Sequence, residues 1–315
     1  MILITGATGF VGKNVIKALR ARGKEVRCLV RNPARARAIA DYRVELTYGD
    51  VLDQSTLSKA MTDVDTVVHL VGIIREKRNQ SFDIVNRQGT EMVARAAKDA
   101  GVKRFVYVSA IGAHDNSDYP YLYSKWQGEQ AVINSGLSYT IFRPSILFGD
   151  GDEFITTLAG IVKTFPVIPV PGSGKITLQP ISVQEVGAMI SLVVHNPHFA
   201  GRIIEIGGPD HLTYDEIVDI ISKTLKARRF KVHMPLPIIK NLIRIMEAVT
   251  QNPPATTSQL NMMALNNITD IDAVEKTFKM KPRHLDGNIG YIHSISRVEA
   301  LKIILGFMPK RIRDN

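Results

Sequence analysis

Cysteine is nearly absent from this 315-residue chain: Cys28 stands alone, which excludes an internal disulfide and points to a reducing compartment. It lies inside the apolar run Val26–Val30, where a buried, inert thiol is the expected reading. Aromatic residues are scarce at 7%, with one tryptophan. That scarcity, and the lack of any nucleic-acid-binding motif, argues against a nucleic-acid partner. No apolar run approaches the roughly 18 residues that a membrane-spanning helix needs. The chain starts directly with Met-Ile-Leu-Ile-Thr-Gly, without a charged or transit-like leader, so no targeting signal is expected. The eight histidines and the single cysteine form no cluster at metal-ligand spacing, so no metal is expected. These absences describe a cytoplasmic protein, with a peripheral place at a membrane as the alternative.

What is abundant is positive charge, and it is uneven. The formal net charge is +10, of which residues 13–43 carry a net +8 and residues 276–315 a net +6, leaving the remainder acidic. Two basic zones suit phosphate ligands, an acidic partner or an anionic membrane surface; solvated helix faces and a basic tail account for them equally well. At 45% hydrophobic, a chain of this length can build one large domain with a smaller lobe.

Six short apolar segments alternate with helical patterns through the first half: Met1–Thr5, Glu25–Arg31, Val44–Asp50, Thr66–Gly72, Arg104–Ala110 and Tyr139–Pro144. Apolar strands alternating with helices imply right-handed crossovers and a parallel sheet covered on both faces, an α/β doubly wound arrangement. After about residue 150 the rhythm breaks. Phe165–Gly174 resembles a Pro/Gly loop, a helical pattern follows from Ser182 to Val194, and Arg202–Gly208 is a further strand. Thr213 is placed to cap the helix after it. The expected organisation is a dinucleotide-binding domain over residues 1–150, completed by segments within 176–207, and a smaller discontinuous lobe over 151–315 that ends in the basic tail.

The sequence Thr5–Gly12, TGATGFVG, puts Gly6, Gly9 and Gly12 between the first strand and the first helix. A tight turn, close approach of backbone to a pyrophosphate, and close helix–strand packing each demand a residue without a side chain. The helix N-terminus then offers N–H groups and the positive end of its dipole. Thr8, Phe10 and Val11 share this turn and join the glycines as candidate cofactor contacts. An NAD site carries an acid at the end of strand two; here that strand ends in Arg31 and Asn32, with Arg35 and Arg37 beyond. A guanidinium clamps a 2′-phosphate that a carboxylate repels, so NADP(H) is favoured, and NAD(H) stays possible because arginine also stacks on adenine. Asp50, followed by Val51, is placed to reach the adenine edge or to cap the following helix. Val71 and Gly72 are expected to run beneath the cofactor and Pro144 beside it, while His69 suits a packed or hydrogen-bonded role in its strand.

Together, Thr5–Gly12, Gly49–Asp53, Val85–Thr90, Arg104–Ala110, the Tyr121–Lys125 pair and Arg143–Gly149 resemble the short-chain dehydrogenase/reductase superfamily in its extended and atypical branches. Later segments, Gln179–Ile190 and Ile204–Ile217, look like the atypical group that contains the dehydrogenase-like accessory subunit of respiratory complex I and its bacterial relatives. The resemblance implies a Rossmann fold, Tyr121 as general acid/base, Lys125 on the nicotinamide ribose, and Asn86 holding the active-site architecture or starting a helix. Tyr121 has a lysine four residues ahead on the same helical face; Tyr119 and Tyr123 do not. Where active extended members carry successive hydroxyl residues, this chain has Ser109 and then Ala110. Losing one preorganised donor costs about 10²–10³ in rate.

Two functions follow. One is an NADP(H)-dependent reductase or epimerase-like enzyme whose lobe closes over the nicotinamide, with a nucleotide sugar or a hydrophobic, quinone-like carbonyl as substrate. The other is a non-catalytic subunit or assembly factor of a membrane complex. Leu236–Val249 and the tail from Arg297 suit a membrane surface, a partner groove or packing on the lobe.

Overall fold

The computed structural model describes residues 1–77, 79–250, 253–262 and 265–307. In chain order the first half runs β1 (Ile2–Thr5), α1 (Phe10–Ala21), β2 (Val26–Val30), α2 (Pro33–Ala36), β3 (Glu45–Tyr48), α3 (Gln54–Ala60), β4 (Thr66–His69), α4 (Gly89–Asp99), β5 (Arg104–Val108), α5 (Pro120–Asn134) and β6 (Tyr139–Pro144). The second half runs β7 (Leu147–Phe148), α6 (Phe154–Thr164), β8 (Val167–Pro171), β9 (Thr177–Leu178), β10 (Ile181–Ser182), α7 (Val183–Val193), β11 (Arg202–Ile206), β12 (Leu212–Thr213), α8 (Tyr214–Thr224), β13 (Phe230–Met234), α9 (Leu236–Val249), α10 (Thr257–Met262), α11 (Ala273–Phe278) and α12 (Arg297–Ile304).

The chain divides into two units. The first holds Met1–Pro144 and Val183–Ile206; the second holds Ser145–Ser182 and the described residues from Gly207 onward. In the first unit seven strands form one sheet in the order β11-β6-β5-β4-β1-β2-β3, every neighbouring pair parallel. The six strands expected from the first half are present, and Arg202–Ile206 completes the sheet. Because successive strand residues face opposite sides, each strand feeds two cores. Leu3, Leu29, Val67, Phe105 and Ile141 join residues of α3, α4 and α5 in one cluster. On the other face Ile4, Cys28, Val68, Val106 and Phe142 are equally buried, and α1 and α7 pack together. This is the doubly wound arrangement of a Rossmann sheet.

The second unit has its own core, in which α6, α8 and α12 close around Ile168, Val170 and Leu285. Thr213 caps α8 in a full capping box with Glu216. Asp152 accepts from the Ile155 and Thr156 amides at the start of α6 and from the Tyr291 hydroxyl. Burial lifts its carboxyl to about 6. The segment read as a Pro/Gly loop is instead the strand β8, paired in parallel with β13 from Phe230↔Val167 to Met234↔Pro171. Prolines are tolerated there because a two-stranded ribbon leaves one hydrogen-bonding edge free.

The contact between α1 and α7 depends on one missing side chain. A Cβ on Gly187 would lie 2.7 Å from the Asn14 carbonyl oxygen, so the helices approach at backbone distance. Gly187→Ala is expected to cost about 1–3 kcal/mol by forcing them apart. A lowered urea midpoint in the variant checks this; an unchanged midpoint would show that the helices shift freely.

Candidate functional site

Every sequence-derived site residue of the first unit lies at or just beyond the carboxyl end of a parallel strand, or on α1, α5 or the turn entering α4. In an open α/β sheet that edge is where ligands bind. The turn after β1 is built by exclusion. Gly6 has φ +77°, and a Cβ on it would stand 2.9 Å from the Leu70 carbonyl carbon. A Cβ on Gly12 would stand 2.3 Å from the Gly6 oxygen. Gly9 is the N-cap of α1 and offers no side chain to its first turn. The amides of Phe10, Val11 and Gly12 therefore face outward without an intrahelical acceptor, beside Thr8, with the helix dipole behind them. That cradle fits a diphosphate.

At the adenosine end the structure revises the sequence reading. Arg31 and Asn32 follow β2, but the Asn32 side chain is occupied: it accepts from the Ala34 amide and caps α2. The end of β2 is not free of acids in space. Asp50, from the end of β3, brings Oδ2 to 3.7 Å from Arg31 Nη1, and the guanidinium is 58% exposed. Asp50 does not cap α3; Asp53 does, accepting from the Ser55 and Thr56 amides. Asp50 instead accepts from the Leu52 amide, and Val51 is buried between them in sequence.

At the other end α5 carries the tyrosine and the lysine. Pro120 occupies its first turn, after Tyr119. Tyr121 packs edge-on against Phe82, ring centroids 5.7 Å apart, while Tyr123 stacks on Trp126. Burial raises the Tyr121 phenol to about 12. Lys125 is 4% exposed; its Nζ donates to the Val108 oxygen at 2.7 Å and sits 4.5 Å from the centroid of the Tyr107 ring. A Cβ on Gly72 would lie 3.5 Å from that Nζ, which puts Lys125 beside the strand-four loop containing Val71 and Gly72. Burial pulls the ammonium down to about 7, and the nearby Glu129 carboxylate offsets only part of this.

Asn86 does not start a helix. It lies in a π-helical turn, Asp83–Gln88, fully buried. Its Oδ1 accepts from the Ile73 amide at 2.8 Å, and its Nδ2 donates to the Ile73 oxygen and to Ser124 Oγ at 3.0 Å. The side chain thereby ties the loop after β4 to α5, the architectural alternative. Ser109 follows β5; its amide donates to the Phe142 oxygen at 2.7 Å, while its Oγ is buried without a hydrogen-bond partner among the described residues. An orphaned buried hydroxyl at the strand edge is free to meet a ligand oxygen. Pro144 ends β6, and its oxygen accepts from the Ile111 amide after Ala110. His69 is inside the protein, between Thr5 Oγ1 at 2.6 Å and Thr90 Oγ1 at 3.0 Å. Burial and then the Lys125 charge lower it to about 3, so it is a neutral packed residue.

The sequence reading missed what holds α5. Glu129 is fully buried and bound in two-pronged fashion by Arg143 of β6, Nε at 2.9 Å and Nη2 at 2.6 Å, and Arg143 also faces Glu205 of β11 at 3.5 Å. Gly128 on the same helix leaves room for the Tyr107 hydroxyl, 2.6 Å from where its Cβ would be. The one available signal was the repeat of Lys125 at Glu129, four residues on along the same helical face.

Residues 6–169 match the sequence profile of a family described as NAD(P)H-binding. The chain is 30% identical over 244 residues to the Arabidopsis thaliana mitochondrial NADH dehydrogenase [ubiquinone] 1 alpha subcomplex subunit 9, covering 75% of this chain but 61% of that protein. To the ceramide reductase of Caulobacter vibrioides it is 29% identical over 251 residues, covering 79% of this chain and 78% of the other. Among solved structures, an NADPH-dependent quinone oxidoreductase from Escherichia coli superposes with a TM-score of 0.76 at 20% identity, over 93% of this chain and all of the other, a likeness of fold.

The lysine gives a pH signature. The folded chain releases the Lys125 proton near 7, whereas an unfolded lysine keeps it to about 10.5. Between pH 7 and 9 the unfolded state therefore holds more protons, and stability should rise with pH, by roughly 2 kcal/mol from this group. Above 9 the raised Cys28 thiol acts in the opposite sense. Urea unfolding of wild type and Lys125→Met across that window checks it: the variant should lose the slope, and parallel curves would refute a depressed lysine.

Proposed function

The chain belongs to the NAD(P)H-binding family, and from that premise we propose that it is an NADP(H)-dependent oxidoreductase of the atypical short-chain dehydrogenase/reductase type, acting on a carbonyl or hydroxyl substrate. The observation that carries this reading is the Lys125 ammonium, buried and aimed at Val108 and Gly72, one helical turn from Tyr121 and on the same strand-end edge as the glycine turn. The first-turn amides of Phe10, Val11 and Gly12 hold the diphosphate, Arg31 the adenosine end, and Lys125 the nicotinamide ribose. The bound dinucleotide supplies or accepts hydride. Tyr121 Oη holds the proton that passes to or from the substrate oxygen, and Ser109 Oγ donates a hydrogen bond to that oxygen. Tyr121 starts from an unfavourable position as a base, since burial raises its phenol. Carbonyl reduction, in which the phenol gives up its proton, begins from the form the protein favours.

Tyr121→Phe should lower turnover of candidate carbonyls by about 10²–10⁴ with NADPH affinity retained. Steady-state rates beside a fluorescence titration of NADPH measure both.

A second reading rests on Ala110, which removes one hydroxyl from the strand-five end, and on the relative that is a subunit of NADH dehydrogenase. Under it the chain is a non-catalytic NADPH-binding subunit or assembly factor, cofactor binding persists, and Tyr121→Phe changes nothing in the membrane complex with which the chain copurifies.

For the cofactor, Arg31→Asp should shift preference from NADPH toward NADH by about tenfold or more, through loss of a cation and gain of an anion at the 2′-phosphate. Equal losses for both dinucleotides would instead assign Arg31 to adenine stacking.

A further inference from the structure

We propose that the second unit docks on an anionic phospholipid surface through the outward stripe of α9. On this helix Ile239 and Ile243 turn inward against Leu260. Ile238, Leu242, Ile245 and Val249, spaced four, three and four residues apart, share another face and are 49–79% exposed. The strand that feeds the helix adds Phe230 and Val232, both exposed on the outer side of the β8–β13 ribbon. An apolar surface of this kind on one helix face is uncommon unless something covers it.

Charge identifies what covers it. Residues 226–249 contain Lys226, Arg228, Arg229, Lys231, Lys240 and Arg244 against one acid, Glu247. Lys231 is held by Asp215 and Asp219, and Arg229 donates to the Val162 oxygen. Lys226, Arg228, Lys240 and Arg244 form no ion pair among the described residues. At 100° per residue Lys240 and Arg244 fall on the polar side of α9, away from the stripe, as in a helix that rests in a headgroup layer with its apolar face down. An anionic bilayer satisfies both features: the stripe enters the boundary between headgroups and acyl chains, and the cations meet phosphates. The combination recurs on α12, where Ala300 and Ile303 are buried, Val298 and Leu301 are exposed between Arg297 and Lys302, and Leu305 is exposed just beyond. The basic tail expected to act in this way continues into residues 308–315, which lie outside the described residues; α9 carries the proposal without them.

The test uses the full chain and sedimentation with vesicles of phosphatidylcholine, with or without phosphatidylglycerol. Binding should require phosphatidylglycerol and weaken at high salt. The double variant Leu242→Asp, Ile245→Asp should bind about tenfold more weakly or worse. Lys240→Gln with Arg244→Gln, which removes no packed side chain, should give a loss of the same order. NADPH affinity should match wild type in both, which separates failure here from failure of the dinucleotide reading. Wild-type protein that stays in the supernatant, or binds both vesicle types equally, overturns the proposal. So does a wild-type dimer that the double variant converts to monomer by light scattering, because the stripe is then a contact between copies.

Discussion

The first unit is organised around an encounter between two stretches of backbone that no side chain could share. Where Gly12 passes Gly6 and Ala7, any Cβ would fall within 2.3–2.7 Å of main-chain atoms, so the chain can enter α1 at this angle only without one. The angle sets the first three amides of α1, which have no acceptor within their own helix, at the carboxyl end of β1. It also closes α1 onto the sheet, where α1 in turn meets α7 across Gly187. Anion affinity at this turn and burial of the sheet face on that side thus share one steric cause.

The opposite end of the site is governed by charge. Placing Lys125 in the interior removes its hydration, and the Val108 carbonyl, the Tyr107 ring and the Glu129 carboxylate return only part of that loss. The downward shift shows desolvation winning. Arg143 binds the buried Glu129 with two hydrogen bonds. Removing one partner of such a buried pair typically costs 3–5 kcal/mol, which makes the pair a strong constraint on where α5 lies. Asn86 fixes the same helix from the other side through Ser124. The tyrosine and lysine are therefore held by a network of buried polar groups as well as by apolar packing, and their pKa values are set by how completely that network excludes water.

Much of this was legible because its causes are local. The β-branched runs, the glycines between strand and helix, and the four-residue spacing of Tyr121 and Lys125 each follow from rules that act within a few residues. What escaped the sequence acts across the fold. Glu129 and Arg143 are fourteen residues apart and meet only because β6 returns beside α5. Phe165–Gly174 read as a loop since proline and glycine dominate it, yet pairing with β13, some sixty residues on, makes half of it a strand. Asn32 looked available to a ligand, but the short helix after it claims its side chain.

The adenosine end shows how such a tertiary contact alters a chemical argument. In sequence, Arg31 stands without an acid and argues directly for a 2′-phosphate. In space Asp50 lies 3.7 Å away, and both side chains are open to solvent. An exposed pair of this length is worth at most about 1 kcal/mol, and salt screens it further. A phosphate, with more charge and several acceptor oxygens, outcompetes one carboxylate for a guanidinium that can bind it bidentately. Under the proposed NADP(H) reading, Asp50 would compete with the 2′-phosphate for Arg31 without displacing it. On that reading the preference would rest on how Arg31 divides itself between a 2′-phosphate and its neighbour Asp50.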